Sequence, residues 1–172
     1  MKLVRWGDAG AEQAGLVDDS GTLRDLSGTV ADWSWQTLTP ETLAQVAAVD
    51  PNTLTALPAE TRLGAPVFRP GKIVGCALTY GKHAAEAGLE PPEEPMFMMT
   101  AASAINGPND PVMMPQGGTQ LDWEAELAVV FCKAGANIAV EDAMSHVAGF
   151  QAAKAWGVDL AGMYQHTLGK TP

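Results

Sequence analysis

Cations are scarce in this sequence: ten Lys and Arg stand against twenty Asp and Glu, a formal net charge of −10 over 172 residues. Nowhere do Lys and Arg gather into a cluster, so the cationic groove that a nucleic-acid backbone requires is missing. An anionic lipid surface would repel the same chain. The expectation is therefore no nucleic acid and no membrane among its partners. Long apolar runs are missing as well; nothing approaches the roughly eighteen residues of a membrane-spanning helix. Met1-Lys2-Leu3-Val4-Arg5-Trp6 passes at once into Gly7-Asp8, leaving no apolar segment of the kind a signal peptide needs, and a cytoplasmic protein is expected. Cysteine is limited to Cys76 and Cys132. Each lies within an apolar run, which predicts reduced core thiols rather than a disulfide. What is abundant is hydrophobic residue, 47% against 17% charged. That composition lies outside the disordered class, and the length suffices to bury a core without staples.

Two units are expected, a small β-rich N-terminal domain over residues 1–65 and a second domain over 66–172. In the first, Lys2–Trp6, Ala14–Val17 and Thr22–Leu26 read as strands, with Asp18-Asp19-Ser20-Gly21 as a hairpin turn. Thr39-Pro40-Glu41 opens a helix: Thr39 caps, Pro40 suits the first helical position and Glu41 favours the positive end of the dipole. Leu43, Val46 and Ala47 supply its apolar stripe. Prolines 58, 66 and 70 then punctuate a boundary. The second unit opens with Lys72–Leu78, a continuous apolar run that predicts a strand buried on both faces. A short helix follows over 81–88, then a Pro-rich loop at 90–95, and further strands near 96–99, 112–114 and 121–131. Val140–Val147 reads as a helix.

Chemistry concentrates in Leu121-Asp122-Trp123-Glu124-Ala125-Glu126-Leu127. Side chains alternate across a strand, so Asp122, Glu124 and Glu126 share one face while Trp123, Ala125 and Leu127 share the other. Neighbours on one face lie ~7 Å apart, twice the rise per residue. Two ionised carboxylates at that spacing repel, and a divalent cation between them removes the conflict. Oxygen ligands suit Mg²⁺ or Mn²⁺, with Ca²⁺ also compatible, better than zinc. A solvated face whose glutamates serve solubility is the alternative; the apolar Leu127–Phe131 continuation argues for burial instead. Upstream, Tyr80-Gly81-Lys82-His83-Ala84-Ala85-Glu86 puts His83 and Glu86 three apart on one helical face. A carboxylate beside an imidazole orients the ring and raises its basicity, as a general base requires. An ordinary surface pair is again the alternative.

Five segments in order resemble the fumarylacetoacetate hydrolase family, particularly its bacterial branch with a small N-terminal domain. They are Met1–Gly7 with Gly15-Leu16-Val17 and Arg24–Ser27; Tyr80-x-x-His83-Ala84-Ala85-Glu86; Ser103-Ala104-Ile105-x-Gly107-Pro108-Asn109-Asp110; Asp122-Trp123-Glu124-x-Glu126-Leu127; and Asp142-Ala143 with His146–Phe150. The resemblance implies an α+β fold, a mixed β-sandwich or β-roll catalytic domain preceded by the small β-rich domain. It implies Mg²⁺ or Mn²⁺ held by Glu124 and Glu126, His83 as general base with Glu86 orienting it, and substrate contacts at Tyr80 and Thr100. The reaction implied is C–C bond hydrolysis, decarboxylation or isomerisation of a small acidic substrate, a 2-oxo or 1,3-diketo acid.

The sequence also departs from the family pattern. The third metal ligand, an aspartate, would fall on Ala155, and Asp159 is the nearest substitute. Met99 or Thr100 stands where a lysine is expected, and Thr79 where an asparagine is. Against the family's length the chain stops about a hundred residues short, so an incomplete C-terminal part is expected. These departures leave a second reading open, a degenerate relative serving as a binding or assembly protein or as a metal-free isomerase or cyclase. Strand edges left open by an incomplete fold predict a homodimer.

Overall fold

The computed structural model describes residues 1–114, 116, 118, 120–160 and 163–167, with Gln120 and everything beyond Ala153 described as backbone alone. Its first sheet is antiparallel in the order β3-β2-β1-β4, from β1 (Lys2–Trp6), β2 (Gln13–Val17), β3 (Leu23–Asp25) and the short β4 (Leu63–Gly64). The β2–β3 turn is built by Asp18, whose carboxylate accepts from the Ser20 and Thr22 backbone N–H groups and pairs with Arg24 at 2.8 Å, while Gly21 takes φ +87°. Gly15 is required where it stands: a Cβ there would lie 2.7 Å from the Trp6 ring and 3.0 Å from the Arg24 carbonyl oxygen.

Helix α1 (Pro40–Ala47) begins as its sequence dictates, with the Thr39 hydroxyl accepting from the Thr42 N–H at 3.2 Å. Val46 is fully buried and Leu43 partly so, whereas Ala47 turns to solvent. Val46 joins Ala14, Leu16, Leu26, Val30, Trp33 and Leu38 in the one contiguous core cluster found among the described residues. Trp33 anchors it and donates its indole N–H to the Gly15 carbonyl at 3.3 Å.

Beyond residue 70 the strands are less covered. β5 (Ile73–Ala77) pairs antiparallel with β6 (Met96–Thr100), from Ile73 opposite Thr100 to Ala77 opposite Met96. The expectation that β5 is buried on both faces fails: Val74 is 51% exposed and Cys76 is exposed. In the two-stranded β5–β6 sheet nothing described covers that side. Both cysteines are free thiols, but with Cys76 exposed and Cys132 half-buried neither is a core residue. Helix α2 (Gly81–Glu86) follows β5, seated by the fully buried Ala84. Val112–Met114 is irregular rather than a strand, because prolines 111 and 115 flank it and remove ladder donors.

The third sheet has the order β7-β8-β9, from β7 (Gln120–Phe131), β8 (Val147–Leu160) and β9 (Met163–Thr167). Val140–His146 forms 3₁₀ turns rather than an α-helix. Alternation along β7 follows the expected two faces: Glu124, Glu126, Ala128 and Val130 are half-buried, while Trp123, Leu127 and Phe131 are 58%, 63% and 66% exposed. Burial of the whole Leu127–Phe131 run was therefore too strong an expectation. One face lies inward, with Val130 packed against the Trp33 core, and the other is open. Among the described residues no helix is long and apolar enough to cross a membrane.

Candidate active site

The candidate catalytic side chains come from two elements that a long-range hydrogen bond joins. Leu78, with φ +55°, reverses the chain after β5, and Tyr80 sits at the N-terminal boundary of α2. Across 47 residues the Leu127 backbone N–H donates to the Tyr80 hydroxyl at 2.8 Å. His83 lies one helical turn beyond Tyr80, and Glu126 shares its peptide unit with Leu127. The start of α2 is thereby fixed against the strand that carries the carboxylates. His83 and Glu86 are both exposed, and Glu124 and Glu126 are half-buried. Thr100 ends β6 opposite Ile73 and is half-buried.

The register of β7 with β8 decides which backbone positions accompany the pair. Ala155 is directly opposite Glu124, and Ala153 opposite Glu126. Asp159 is opposite Gln120, four residue pairs from Glu124, which is roughly 13 Å along the strand. The structure thus brings Tyr80 to β7 and leaves Asp159 well along the sheet from the glutamates. Among the described residues no three His, Cys, Asp or Glu side chains converge as a metal-binding group. Two carboxylates of one strand face still suit a hard divalent ion that retains its waters, Mg²⁺ above all, because such an ion is commonly held by one or two carboxylates with substrate oxygens completing the shell.

The turn leading towards β7 is tied to the N-terminal sheet by charges that carry no spacing signal in the sequence. Arg62 donates to the Asp110 carboxylate at 2.9 and 2.5 Å, to Glu12 at 3.0 Å and to the Gly7 carbonyl at 2.9 Å. Glu12 also meets the buried Arg5, which pairs with Asp32. The Arg62 bonds hold the Asp110 carboxyl below its ordinary range, and Asp110 accepts in turn from the Gly107 N–H at 3.2 Å. Asn106 closes the same turn by donating to the Pro111 carbonyl at 2.8 Å.

With this geometry, the sequence profile described as "Fumarylacetoacetate (FAA) hydrolase C-terminal" matches residues 72–160, just over half of the chain. The chain belongs to the fumarylacetoacetate hydrolase family. A protein of Burkholderia ambifaria (strain MC40-6) that bears the provisional name of hydrolase is 42% identical over 150 residues, covering 87% of this chain and 53% of the relative. The chain therefore spans about half the length of the curated relatives it matches. Among solved structures, maleylpyruvate hydrolase from Sphingobium sp. SYK-6 superposes with a TM-score of 0.71 at 26% identity, over 92% of this chain and 60% of that one. Fumarylacetoacetate hydrolase from psychrophilic Exiguobacterium antarcticum gives 0.67 at 26% identity, over 93% and 56%. The α+β architecture is that of the fumarylacetoacetate hydrolase family, as the sequence motifs implied.

Proposed function

We propose that this chain carries the metal-binding strand and the general base of a divalent-metal-dependent hydrolase or lyase for a small 2-oxo or 1,3-diketo acid. The observation that carries this reading is the Tyr80–Leu127 hydrogen bond, which fixes the helix bearing His83 and Glu86 against the strand bearing Glu124 and Glu126. The Sphingobium maleylpyruvate hydrolase, which has also been solved in complex with manganese(II) and pyruvate, supports the choice of a divalent metal and a 2-oxo acid.

In this scheme Glu124 and Glu126 hold Mg²⁺ or Mn²⁺. When bound, the cation supplies positive charge where the substrate's carbonyl oxygens become negative. His83 takes a proton from water, and the resulting hydroxide oxygen bonds to the carbonyl carbon. The adjacent C–C bond breaks with its electron pair passing to the neighbouring carbon, which receives the proton His83 holds. Glu86 keeps the imidazole in the tautomer that accepts at the reacting nitrogen. Thr100 borders the substrate. Decarboxylation or isomerisation would use the same proton shuttle with a different bond broken.

The test is a thermal-shift titration with MnCl₂. Wild-type protein should melt several degrees higher at saturating Mn²⁺, and Glu124→Gln should lose that shift. An equal shift in the variant would refute the ligand assignment.

A second reading, a degenerate relative that binds without hydrolysing, is favoured by the register that sets an alanine opposite Glu124. Under that reading Mn²⁺ leaves wild-type melting unmoved. A cytoplasmic address and a homodimer belong to the same proposal as the enzyme. The open face of Trp123, Leu127, Phe131 and Phe150 supports the dimer, and a monomer by light scattering would remove it.

A further inference from the structure

The Tyr80 ring is 49% exposed, yet its hydroxyl is committed to backbone, not to another side chain. In an antiparallel pair, successive residues direct their N–H groups alternately towards and away from the partner strand. Leu127 is opposite Ala152 in the β7–β8 ladder, and its N–H goes instead to Tyr80, on the side of β7 away from β8. Among the described residues no strand pairs with that side of β7, so the tyrosine occupies an edge of the sheet, at the peptide unit joining Glu126 to Leu127.

The turn that delivers it is strained. Leu78 is a leucine in the left-handed region, at φ +55°, a conformation that a residue with a Cβ rarely adopts. The Thr79 hydroxyl donates back to the Cys76 carbonyl at 3.4 Å, and Tyr80 follows at the start of α2. A relaxed turn would leave α2 free to settle elsewhere on the surface. Here the strain is held in a segment whose far end is pinned to β7, and the pinned group lies one turn from His83.

The geometry points to Tyr80 as a positioning residue: its hydroxyl sets the distance between the imidazole of His83 and the carboxylates of Glu124 and Glu126. This rests on the functional reading above but is separable from it. A base and a metal-held substrate cooperate only at a fixed separation, and a misplacement of about 1 Å can cost 100-fold in rate. A tyrosine that merely contacted substrate would act on binding. One that spaces two catalytic elements acts on turnover and leaves each element's own affinity alone.

The experiment compares wild type with Tyr80→Phe, which removes only the hydroxyl. The first readout is hydrogen exchange at the Leu127 amide, followed by NMR without metal. The second is Mn²⁺-dependent exchange of pyruvate methyl protons into D₂O, with pyruvate as the probe of proton removal next to a 2-oxo group. Tyr80→Phe should raise Leu127 exchange at least about 10-fold and cut pyruvate exchange at saturation by about 10- to 100-fold. Mn²⁺ affinity and half-saturating pyruvate should each stay within about two-fold. Unchanged Leu127 exchange would overturn the inference, as would lost protection with an unchanged rate. A rate loss matched by weaker pyruvate binding would make Tyr80 a substrate contact and overturn it too, and a variant that fails to fold would make the contact a stability element. If wild type exchanges no pyruvate protons, the functional reading falls and takes the spacing role with it, while the Leu127 readout still reports whether the hydrogen bond exists.

Discussion

Arg62 grips both carboxylate oxygens of Asp110, Nε to Oδ1 at 2.9 Å and Nη2 to Oδ2 at 2.5 Å, across 48 residues of sequence. One partner leads into β4 of the N-terminal sheet and the other closes the turn before β7. Val130 of β7 also packs against the Trp33 core, so the N-terminal sheet and its core meet both that turn and the strand that carries the glutamates.

That coupling should be acid-sensitive. Asp110 is held below its ordinary range by Arg62; in Glu12 burial pushes the carboxyl upward, and the hydrogen bond from Arg62 and the charge of Arg5 more than offset it. A carboxylate lowered on folding contributes stability that is complete above its unfolded value, near about 4, and that is lost as pH falls through the lower folded value. Asp110→Asn should therefore be destabilised by about 1 kcal/mol at neutral pH, a partly solvated pair being worth no more. The difference from wild type should shrink as pH falls below about 4. Urea melts at several pH values measure it; a constant gap across that range would show that the charge is not the cause.

Ala155 faces Glu124 across the β7–β8 ladder, at the position the family resemblance assigns to a third carboxylate. An aspartate at this register position would add a third carboxyl to the pair. Ala155→Asp should tighten Mn²⁺ binding by about 10-fold or more, as an added charged ligand does in oxygen-ligated sites. Calorimetry reads this directly, and weaker or unchanged affinity would place the cation away from Glu124.

His83 is exposed on a six-residue helix whose seat in the fold is the buried Ala84. His83→Ala should leave the melting temperature within a degree or two, since surface substitutions stay within about 0.5 kcal/mol. Loss of a general base should lower turnover by about 100- to 10,000-fold. Pyruvate proton exchange and calorimetry on the same sample measure both; parallel losses would mark a structural histidine.

Local signals carried most of what was legible in the sequence. The Thr39 cap, the Asp18–Gly21 turn and the two faces of β7 depend on residues within a few positions of one another, and the structure follows each. Long-range cover was harder to read. Ile73–Ala77 and Leu127–Phe131 are apolar enough for a core, but whether a face is covered depends on elements distant in sequence, and here Val74, Leu127 and Phe131 remain open. The bonds that join the site to the fold, Tyr80 to Leu127 and Arg62 to Asp110, span 47 and 48 residues. No spacing rule reaches that far, and single tyrosines and arginines carry no motif of their own. Strand alternation and helical spacing singled out the carboxylates and the histidine, and the family resemblance marked Ala155 as the place of a third ligand; only the β7–β8 register showed that Ala155 faces Glu124 while Asp159 lies four pairs away.

The most direct measurement is anomalous diffraction at the manganese edge from crystals soaked in MnCl₂ and oxalate, a mimic of the enolate. One peak is expected within bonding distance of both Glu124 and Glu126, with oxalate in the remaining positions. Density showing both side chains in ordinary water and no manganese between them would contradict it.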